Sequence, residues 1–300
     1  MKIFDCTTFY NENLMLEVRF NILNNFVDKF VISEAKYSHS GEKKKLNFDL
    51  NRFKEFKNKI IYLPIEYEPD DLVYDKSSNN EKIEKDNDKR ANSIKRIAHQ
   101  RNSLMLGLSE AGDDDYIFYS DNDEIPNFTN LNLKNINSKI IMFRQKLFYY
   151  KFNLYSDRIE WYGTKGCKKK HLKSFSWLRE IKTKKYSFFR LDTLFSNNKY
   201  MDLKIIRDGG WHFSRLMSPK DMQIKLTNSE DHYEFKLSKI ELSHIEDLVK
   251  RKVIEYDHKA KSTGYKFGSE FKLKTLPIDQ MPIFLKKNVD KYKDWFDFDK

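Results

Sequence analysis

The chain has 300 residues, of which 39% are hydrophobic, 15% aromatic and 34% charged, and its formal net charge is +11. This length suits one large domain, and the apolar fraction excludes a chain that stays disordered. No apolar run approaches the roughly 20 residues of a membrane-spanning helix, and the first residues carry acids where a secretory signal needs an apolar core. The only two cysteines, Cys6 and Cys167, provide neither a zinc cluster nor a disulfide framework, so we expect a cytoplasmic protein.

The basic charge raises the question of anionic partners. Lysines are spread along the whole chain and alternate with acids, as in "EKIEKDNDKR" at residues 81–90. This mixing favours a solvated lysine surface over a nucleic-acid-binding patch. We therefore do not expect a nucleic-acid partner, while peripheral contact with an anionic membrane stays compatible with the composition.

The first half of the chain alternates strand patterns with helix patterns. Short apolar runs rich in β-branched and aromatic residues indicate strands, and apolar residues at helical spacing indicate amphipathic helices. Residues 67–90 lack such periodicity and predict a surface excursion. The alternation predicts an α/β fold with a mainly parallel central sheet flanked by helices. The predicted strands are "KIFDCTTF", "KFVISEA", "KIIYLPI" and "YIFY", and the predicted helices include "NENLMLEVRFNILNNF" and residues 91–110.

The second half of the chain has a different pattern. Two long aromatic stretches, "KIIMFRQKLFYYKFNLY" and "KYSFFRLDTLF", are strand-like, and "KIIRDGGWHFSRL" breaks at a glycine pair. From about residue 218 the pattern becomes helical. We expect one domain over residues 1–235, with residues 236–300 forming a C-terminal helical extension and tail packed on it.

The stretch "YIFYSDNDEIP", residues 116–126, brings three acids to the end of an apolar strand. In an extended segment Asp121 and Asp123 project to the same side, and ligands of parallel α/β sheets bind at the carboxyl ends of strands. Close carboxylates repel each other unless a cation neutralises them, and Mg²⁺ or Mn²⁺ binds through such oxygens together with substrate phosphates. The pattern equally fits a turn or a helix cap before Pro126.

Three other stretches place chemically useful residues near predicted strand ends. In "GGWHF", Trp211 provides a stacking face and His212 a metal ligand. In "HQRNSLM", Arg101 and Asn102 precede the acidic strand, where the guanidinium can pair with phosphate. Glu34 ends the second strand, where a nucleotide base or ribose could be bound. Each has a structural alternative: a buried histidine, a surface ion pair, or a loop cap.

In their order and spacing, several of these blocks resemble glycosyltransferase family 17 over residues 2–235. The resemblance implies a GT-A type nucleotide-sugar-binding fold, UDP-sugar donors and inversion at the anomeric carbon. By position it implies that Asp121 and Asp123 hold the donor's metal ion, Mn²⁺ or Mg²⁺, that His212 is a further ligand or diphosphate contact, and that Glu12 belongs to the site. The blocks are "IFDCTTFYNENLMLEVRFNIL", "VDKFVISEAKYSHSG", "HQRNSLMLGL", "DDDYIFYSDNDEIP" and "GGWHFSRL".

The leading functional hypothesis is metal-dependent transfer of a sugar from a UDP-sugar to a hydroxyl of a glycan or glycolipid acceptor. N-acetylglucosamine is the preferred candidate for the sugar. An inverting displacement needs a carboxylate base, for which Glu124 and Asp208 are candidates, although each equally fits a turn or cap. A metal-dependent phosphodiesterase or nuclease is an alternative enzyme class, suggested by clustered acids in a basic chain. A non-catalytic carbohydrate-binding module is a third possibility, in which the aromatic residues stack and the acids cap.

Overall fold

The computed structural model describes residues 1–74, 84, 86–183, 196–200, 202–229, 232–255 and 269–298. In these ranges a central sheet is flanked by helices, and no helix there is long and apolar enough to cross a membrane. The strands are β1 (Ile3–Phe9), β2 (Lys29–Ala35), β3 (Ile60–Ile65), β4 (Tyr116–Tyr119), β5 (Glu124–Pro126), β6 (Ile140–Tyr149), β7 (Leu154–Lys168), β8 (Leu203–Ile206), β9 (Gly210–Ser214), β10 (Val253–Ile254), β11 (Phe271–Lys272) and β12 (Lys274–Thr275). The α-helices are α1 (Asn13–Leu23), α2 (Asp86–Asn102), α3 (Phe175–Glu180), α4 (Pro219–Asn228), α5 (His232–Ser238), α6 (Leu242–Lys250) and α7 (Ile283–Lys287).

The central sheet has ten strands and is mixed. Its main path runs β3-β2-β1-β4-β7-β6-β9-β5, while β8 pairs with β6 and β12 with β7. The first four strands of this path are parallel to one another. β7 runs antiparallel to both β4 and β6, and β5 runs antiparallel to β9. β6 runs parallel to β8 and to β9, so the second half combines parallel and antiparallel pairs, and the sheet that was expected to be mainly parallel is mixed.

The β6–β7 pair differs most from the sequence-based prediction. The single long strand expected over residues 139–155 is two strands, because the chain reverses after Tyr149. Tyr150 adopts φ 64°, a left-handed conformation, and its N–H donates to the carbonyl of Ser214 at 3.2 Å. The other predicted aromatic strand, residues 185–195, lies outside the described residues.

The parallel strands are covered on both faces, which explains why their sequences are almost continuously apolar. Neighbouring residues of β2 enter different cores: Phe30 and Ile32 pack on the side of α1, and Val31 packs on the opposite side. There it meets Leu104 and Leu108 of the 3₁₀ helix that continues α2. The helix expected over residues 91–110 thus begins earlier, at Asp86, within the predicted excursion, because its first turn is too polar to show periodicity.

The C-terminal residues pack into the same core as α1. Leu285, Tyr292 and Phe296 are buried there, and the Tyr292 hydroxyl donates to Glu17 of α1 at 2.7 Å. The N–H of Phe152 donates to the carbonyl of Trp295 at 2.8 Å. These contacts place the end of the described chain in one hydrophobic core with α1.

Candidate active site

A cavity of about 440 Å³ opens where β1 and β4 end. The two strands are parallel neighbours, with Cys6 paired to Tyr119, so the segments that follow them leave the sheet at the same edge. This volume lies within the roughly 300–1,000 Å³ of small-molecule sites. The lining includes Glu12, His39, Arg101, Asp121, Asp123, Glu124, Arg179, His212 and Lys225, and the aromatic rings of Tyr10, Tyr149 and Trp161.

The acidic residues after β4 form a closed turn rather than an extended segment. The N–H of Asp121 donates to Oε2 of Glu124, and the N–H of Glu124 donates to the carbonyl of Asp121, both at 3.0 Å. The reciprocal bonds fix the turn, and Asp121 and Asp123 still both line the cavity. Glu124 thus has the capping role that the sequence left open.

Arg19 of α1 connects this turn to β1 through hydrogen bonds. It is fully buried, and its Nε and Nη2 donate hydrogen bonds to the carboxylate of Asp5 at 2.7 and 2.6 Å. Its Nη1 donates to the carbonyl of Glu124 at 2.8 Å, and Nη2 also donates to Ser120 Oγ at 2.8 Å. The planar fork of arginine suits this set of partners, which a lysine could not reproduce.

Asp121 is surrounded by cations. Its Oδ2 accepts from Arg179 Nη2 at 3.0 Å and its Oδ1 from the Tyr119 hydroxyl at 2.9 Å, while Arg101 Nε donates to the same hydroxyl at 2.9 Å. Burial acts to raise the pKa of Asp121, but the charges of Arg179 and Arg101 outweigh it and hold the pKa well below its usual value. Asp121 is therefore ionised and already neutralised by the protein.

Glu124 is completely buried at the inner wall of the cavity. Its Oε1 accepts from the indole N–H of Trp161 at 2.7 Å, and Arg179 Nη2 lies 3.5 Å from the same oxygen. Burial raises the pKa of Glu124, opposed by Arg179 and reinforced by Asp121. With both oxygens engaged, this carboxylate orients the turn and Trp161.

His212 reaches the site because β9 pairs with β5. Glu124 and His212 are directly opposite in that pairing, and Nε2 of His212 lies 3.6 Å from Oδ1 of Asp123. Burial acts to lower the pKa of His212, but Asp123 and Glu124 raise it above its usual value. For Asp123, burial acts to raise the pKa and His212 and Lys225 lower it below its usual value. Asp123 and His212 thus lie side by side and both face the cavity.

The glycine pair before His212 is explained by backbone packing. Gly210 has φ +114°, and a Cβ there would lie 2.2 Å from the carbonyl oxygen of Ile125 in β5. Only glycine therefore allows β9 to approach β5 closely enough to present His212.

Glu12 and Lys225 also line the cavity. Oε2 of Glu12 accepts from the N–H groups of Tyr10 and Asn11 at 3.1 and 3.2 Å, and Oε1 lies 3.0 Å from Lys225 of α4. Burial acts to raise the pKa of Glu12, but Lys225 lowers it below its usual value. Burial acts to lower the pKa of Lys225, but Glu12 and Asp123 raise it to about 12. The pair therefore joins the residue that precedes α1 to α4.

The donor groups fit a divalent cation only in part. Among the described residues there is no group of three or more His, Cys, Asp or Glu side chains placed to hold a metal ion. Asp123 Oδ1 and His212 Nε2, 3.6 Å apart, lie near the separation of about 3 Å expected for neighbouring ligands of one cation. His212 Nδ1 is buried with no hydrogen-bond partner in the described structure. These residues fit a cation that completes its shell with ligand phosphates and water.

Four residues singled out from the sequence have other surroundings. Glu34 is buried and accepts from Lys44, from the N–H groups of residues 47 and 48, and from Tyr62. Asn102 accepts from the N–H of Ser176 in α3 at 2.9 Å. Asp208 is exposed and lies 3.4 Å from Asn127. Trp211 alternates with His212 along β9 and packs against the core on the side of α1.

The cavity residues that were not singled out from the sequence include His39, Trp161, Arg179 and Lys225. His39 lies in the block "ISEAKYSHSG", in which Glu34 was chosen instead. Trp161 lies on β7, a strand that the charged stretch "YSDRIEWY" conceals. The only local signal near Arg179 is Ser174, whose side chain accepts from the N–H of Trp177 at 3.1 Å and caps α3.

The sequence and the fold were compared with those of known proteins. No curated protein matches the sequence. Among solved structures, HddC from Yersinia pseudotuberculosis shares 10% identity, covering 69% of this chain and 91% of that one, with a TM-score of 0.31. The model of glycosyltransferase family 17 matches residues 1–253, more than four fifths of the sequence. The chain belongs to glycosyltransferase family 17.

Proposed function

We propose that the protein is a metal-dependent, inverting glycosyltransferase that moves N-acetylglucosamine from UDP-N-acetylglucosamine to a hydroxyl of a glycan or glycolipid. The family supports glycosyl transfer from a nucleotide sugar to a glycan acceptor. One observation carries the finer assignment: Asp121, Asp123 and His212 line one cavity at the edge of the sheet where β1 and β4 end. Ligands of open α/β sheets bind at such an edge.

The metal ion of this proposal is Mn²⁺ or Mg²⁺, held by Asp123 and His212 with Asp121 beside them. When bound with the donor, it offsets the negative charge that develops on the departing diphosphate. The imidazole favours Mn²⁺ over Mg²⁺, since Mg²⁺ strongly prefers oxygen ligands. Arg101 and Lys225 add fixed positive charge around the same cavity.

The acceptor hydroxyl must lose its proton to a carboxylate that it can touch. Glu124 has no exposed surface and Asp208 lies on the exterior, so we assign Glu124 to positioning and leave Asp208 outside the reaction. Among the described lining residues, Asp121, Asp123 and Glu12 have carboxylates with exposed surface, at 36%, 18% and 9%. The base belongs to this group.

The alternative of a metal-dependent nuclease gains no support from the site. Such enzymes commonly hold two metal ions about 3.5–4 Å apart. The carboxylates described here are instead matched with Arg179, His212 and Lys225. Among the described residues, no group of three or more His, Cys, Asp or Glu side chains is placed to hold a metal ion, so nothing there favours two metal ions over the single cation proposed.

The test is a screen of UDP-sugars with added Mn²⁺ or Mg²⁺ and candidate glycan acceptors, with mass detection of products. We expect transfer or slow donor hydrolysis from UDP-N-acetylglucosamine that EDTA abolishes. The variant Asp123→Ala should lose the metal-dependent activity, while Asp208→Ala, the matched exterior carboxylate, should retain it. Full activity in Asp123→Ala would remove the metal assignment, and inactivity with every UDP-sugar would remove the donor assignment.

A further inference from the structure

Helix α3 is a six-residue helix fixed at both ends. At its start, Ser174 caps the N–H of Trp177, and Asn102 Oδ1 accepts from the N–H of Ser176 at 2.9 Å. At its end, the buried Lys165 donates to the carbonyls of Arg179 and Ile181, the second at 2.7 Å. Isolated helices of this length are unstable in water, so these contacts, together with the burial of Phe175 and Leu178 in the core, fix the position of α3.

The anchored helix presents Arg179 to the cavity. Its Nη2 lies 3.0 Å from Asp121 Oδ2 and 3.5 Å from Glu124 Oε1, and 24% of the side chain is exposed. Asp121 is thereby flanked by two guanidinium groups, with Arg101 joined to it through the Tyr119 hydroxyl. One nitrogen of Arg179 serves both carboxylates, and a guanidinium carries five N–H donors in all.

We infer that Arg179 is a diphosphate-binding residue, which exchanges its contact with Asp121 for the phosphate oxygens of the nucleotide donor. This inference rests on the proposed function, because it assigns a role in binding the same donor. Arginine forms paired hydrogen bonds with phosphate, and the anchored helix keeps the Arg179 side chain at the cavity where the donor would bind. As Arg179 turns to phosphate, Asp121 is released to face the cation that accompanies the diphosphate.

The test compares UDP with uridine by titration calorimetry in EDTA, so that metal binding does not enter the measurement. Hydrogen bonds to charged groups contribute about 1.5–3 kcal/mol, equivalent to roughly 10- to 150-fold in affinity. We expect Arg179→Gln to weaken UDP binding by roughly tenfold or more and to leave uridine binding within about twofold. Arg179→Lys, which keeps the charge and loses the fork, should fall between.

Arg251→Gln is the matched control. Arg251 also bridges two carboxylates, Asp247 at 2.6 Å and Glu270 at 2.7 Å, on the exterior of the C-terminal region. Its loss should leave UDP affinity unchanged. Equal losses of UDP affinity in Arg251→Gln and Arg179→Gln would show a general charge effect and overturn the inference.

The double variant Asp121→Asn/Arg179→Gln separates direct contact from simple neutralisation. If Arg179 only cancelled the charge of Asp121, removing both charges would restore UDP affinity. Direct contact predicts that the double variant recovers only the part of the loss that comes from repulsion by Asp121 and still binds UDP more weakly than the wild type, and full restoration would overturn the inference. A wild-type protein that binds no UDP even with Mn²⁺ added would instead refute the proposed donor, while wild-type binding with unchanged affinity in a folded Arg179→Gln refutes the role of Arg179 alone.

Discussion

Replacing Arg19 by methionine should destabilise the protein strongly, because the buried side chain joins α1, β1 and the acidic turn. Methionine keeps much of the apolar volume and removes every hydrogen bond. Asp5, which is 1% exposed, would become an unpaired buried charge. The carbonyl of Glu124 would lose its donor at 2.8 Å.

The expected magnitude follows from these two losses. Removing one partner of a buried ion pair costs about 3–5 kcal/mol in the free energy of unfolding. A buried polar group left without a partner costs roughly 1–3 kcal/mol. The two costs cannot be added in full, because both include the desolvation of polar groups in the same buried cluster. We therefore expect about 3–5 kcal/mol in total. That is a large share of a typical total stability of roughly 5–15 kcal/mol.

The assay is urea unfolding followed by tryptophan fluorescence, with circular dichroism as a second probe for two-state behaviour. Arg144→Met is the matched control, since Arg144 pairs with Glu160 at the surface and such pairs contribute about 0–1 kcal/mol. A cost for Arg19→Met no greater than that of Arg144→Met would refute the reasoning. If Arg19→Met does not accumulate, Asp5→Asn/Arg19→Met should be more stable than the single variant, since it removes the orphaned charge.

Three further predictions concern other parts of the chain. Gly166→Ala should cost about 1–3 kcal/mol or more in urea unfolding, because its Cβ would lie 2.1 Å from the ring of Phe118, whereas Gly112→Ala, with its nearest atom at 3.7 Å, should be neutral. Burial and the charge of Arg101 lower the pKa of His39 from 6.5 to about 4, so the folded state resists its protonation. Stability should therefore fall as the pH drops from 6.5 towards 4, and a His39→Asn variant with an unchanged pH profile would contradict this. With its net charge of +11, the protein should sediment with vesicles rich in anionic lipid at low salt and be released at high salt, and salt-independent binding would exclude the electrostatic contact.

The sequence predicts those parts of the fold that local pattern determines. β1, β2 and β4 are recognisable because strands buried on both faces are continuously apolar. β7 is not recognisable, because Asp157, Arg158 and Glu160 interrupt its apolar residues. The mixed sheet follows from its pairing with β4 and β6, and pairing between distant segments leaves no local pattern.

The same limit applies to the site. Asp121, Asp123 and His212 are accessible to sequence reasoning because they lie in short motifs beside strand ends. Arg179 lies 58 residues beyond Asp121, on a short helix whose position depends on Lys165 and Asn102. A basic residue so far along the chain can be recognised as part of the site only from the folded structure.

The charges of the cavity also hold the structure together. His212 joins β9 to the acidic turn, Arg179 joins α3 to it, and Lys225 joins α4 to Glu12 at the start of α1. Each contact neutralises a carboxylate that would otherwise repel its neighbours and the diphosphate. Because one contact serves both assembly and electrostatics, a substitution here changes stability and ligand affinity together. Loss of activity alone therefore cannot assign a role to any of these residues, whereas the ratio of UDP to uridine affinity in a folded variant can.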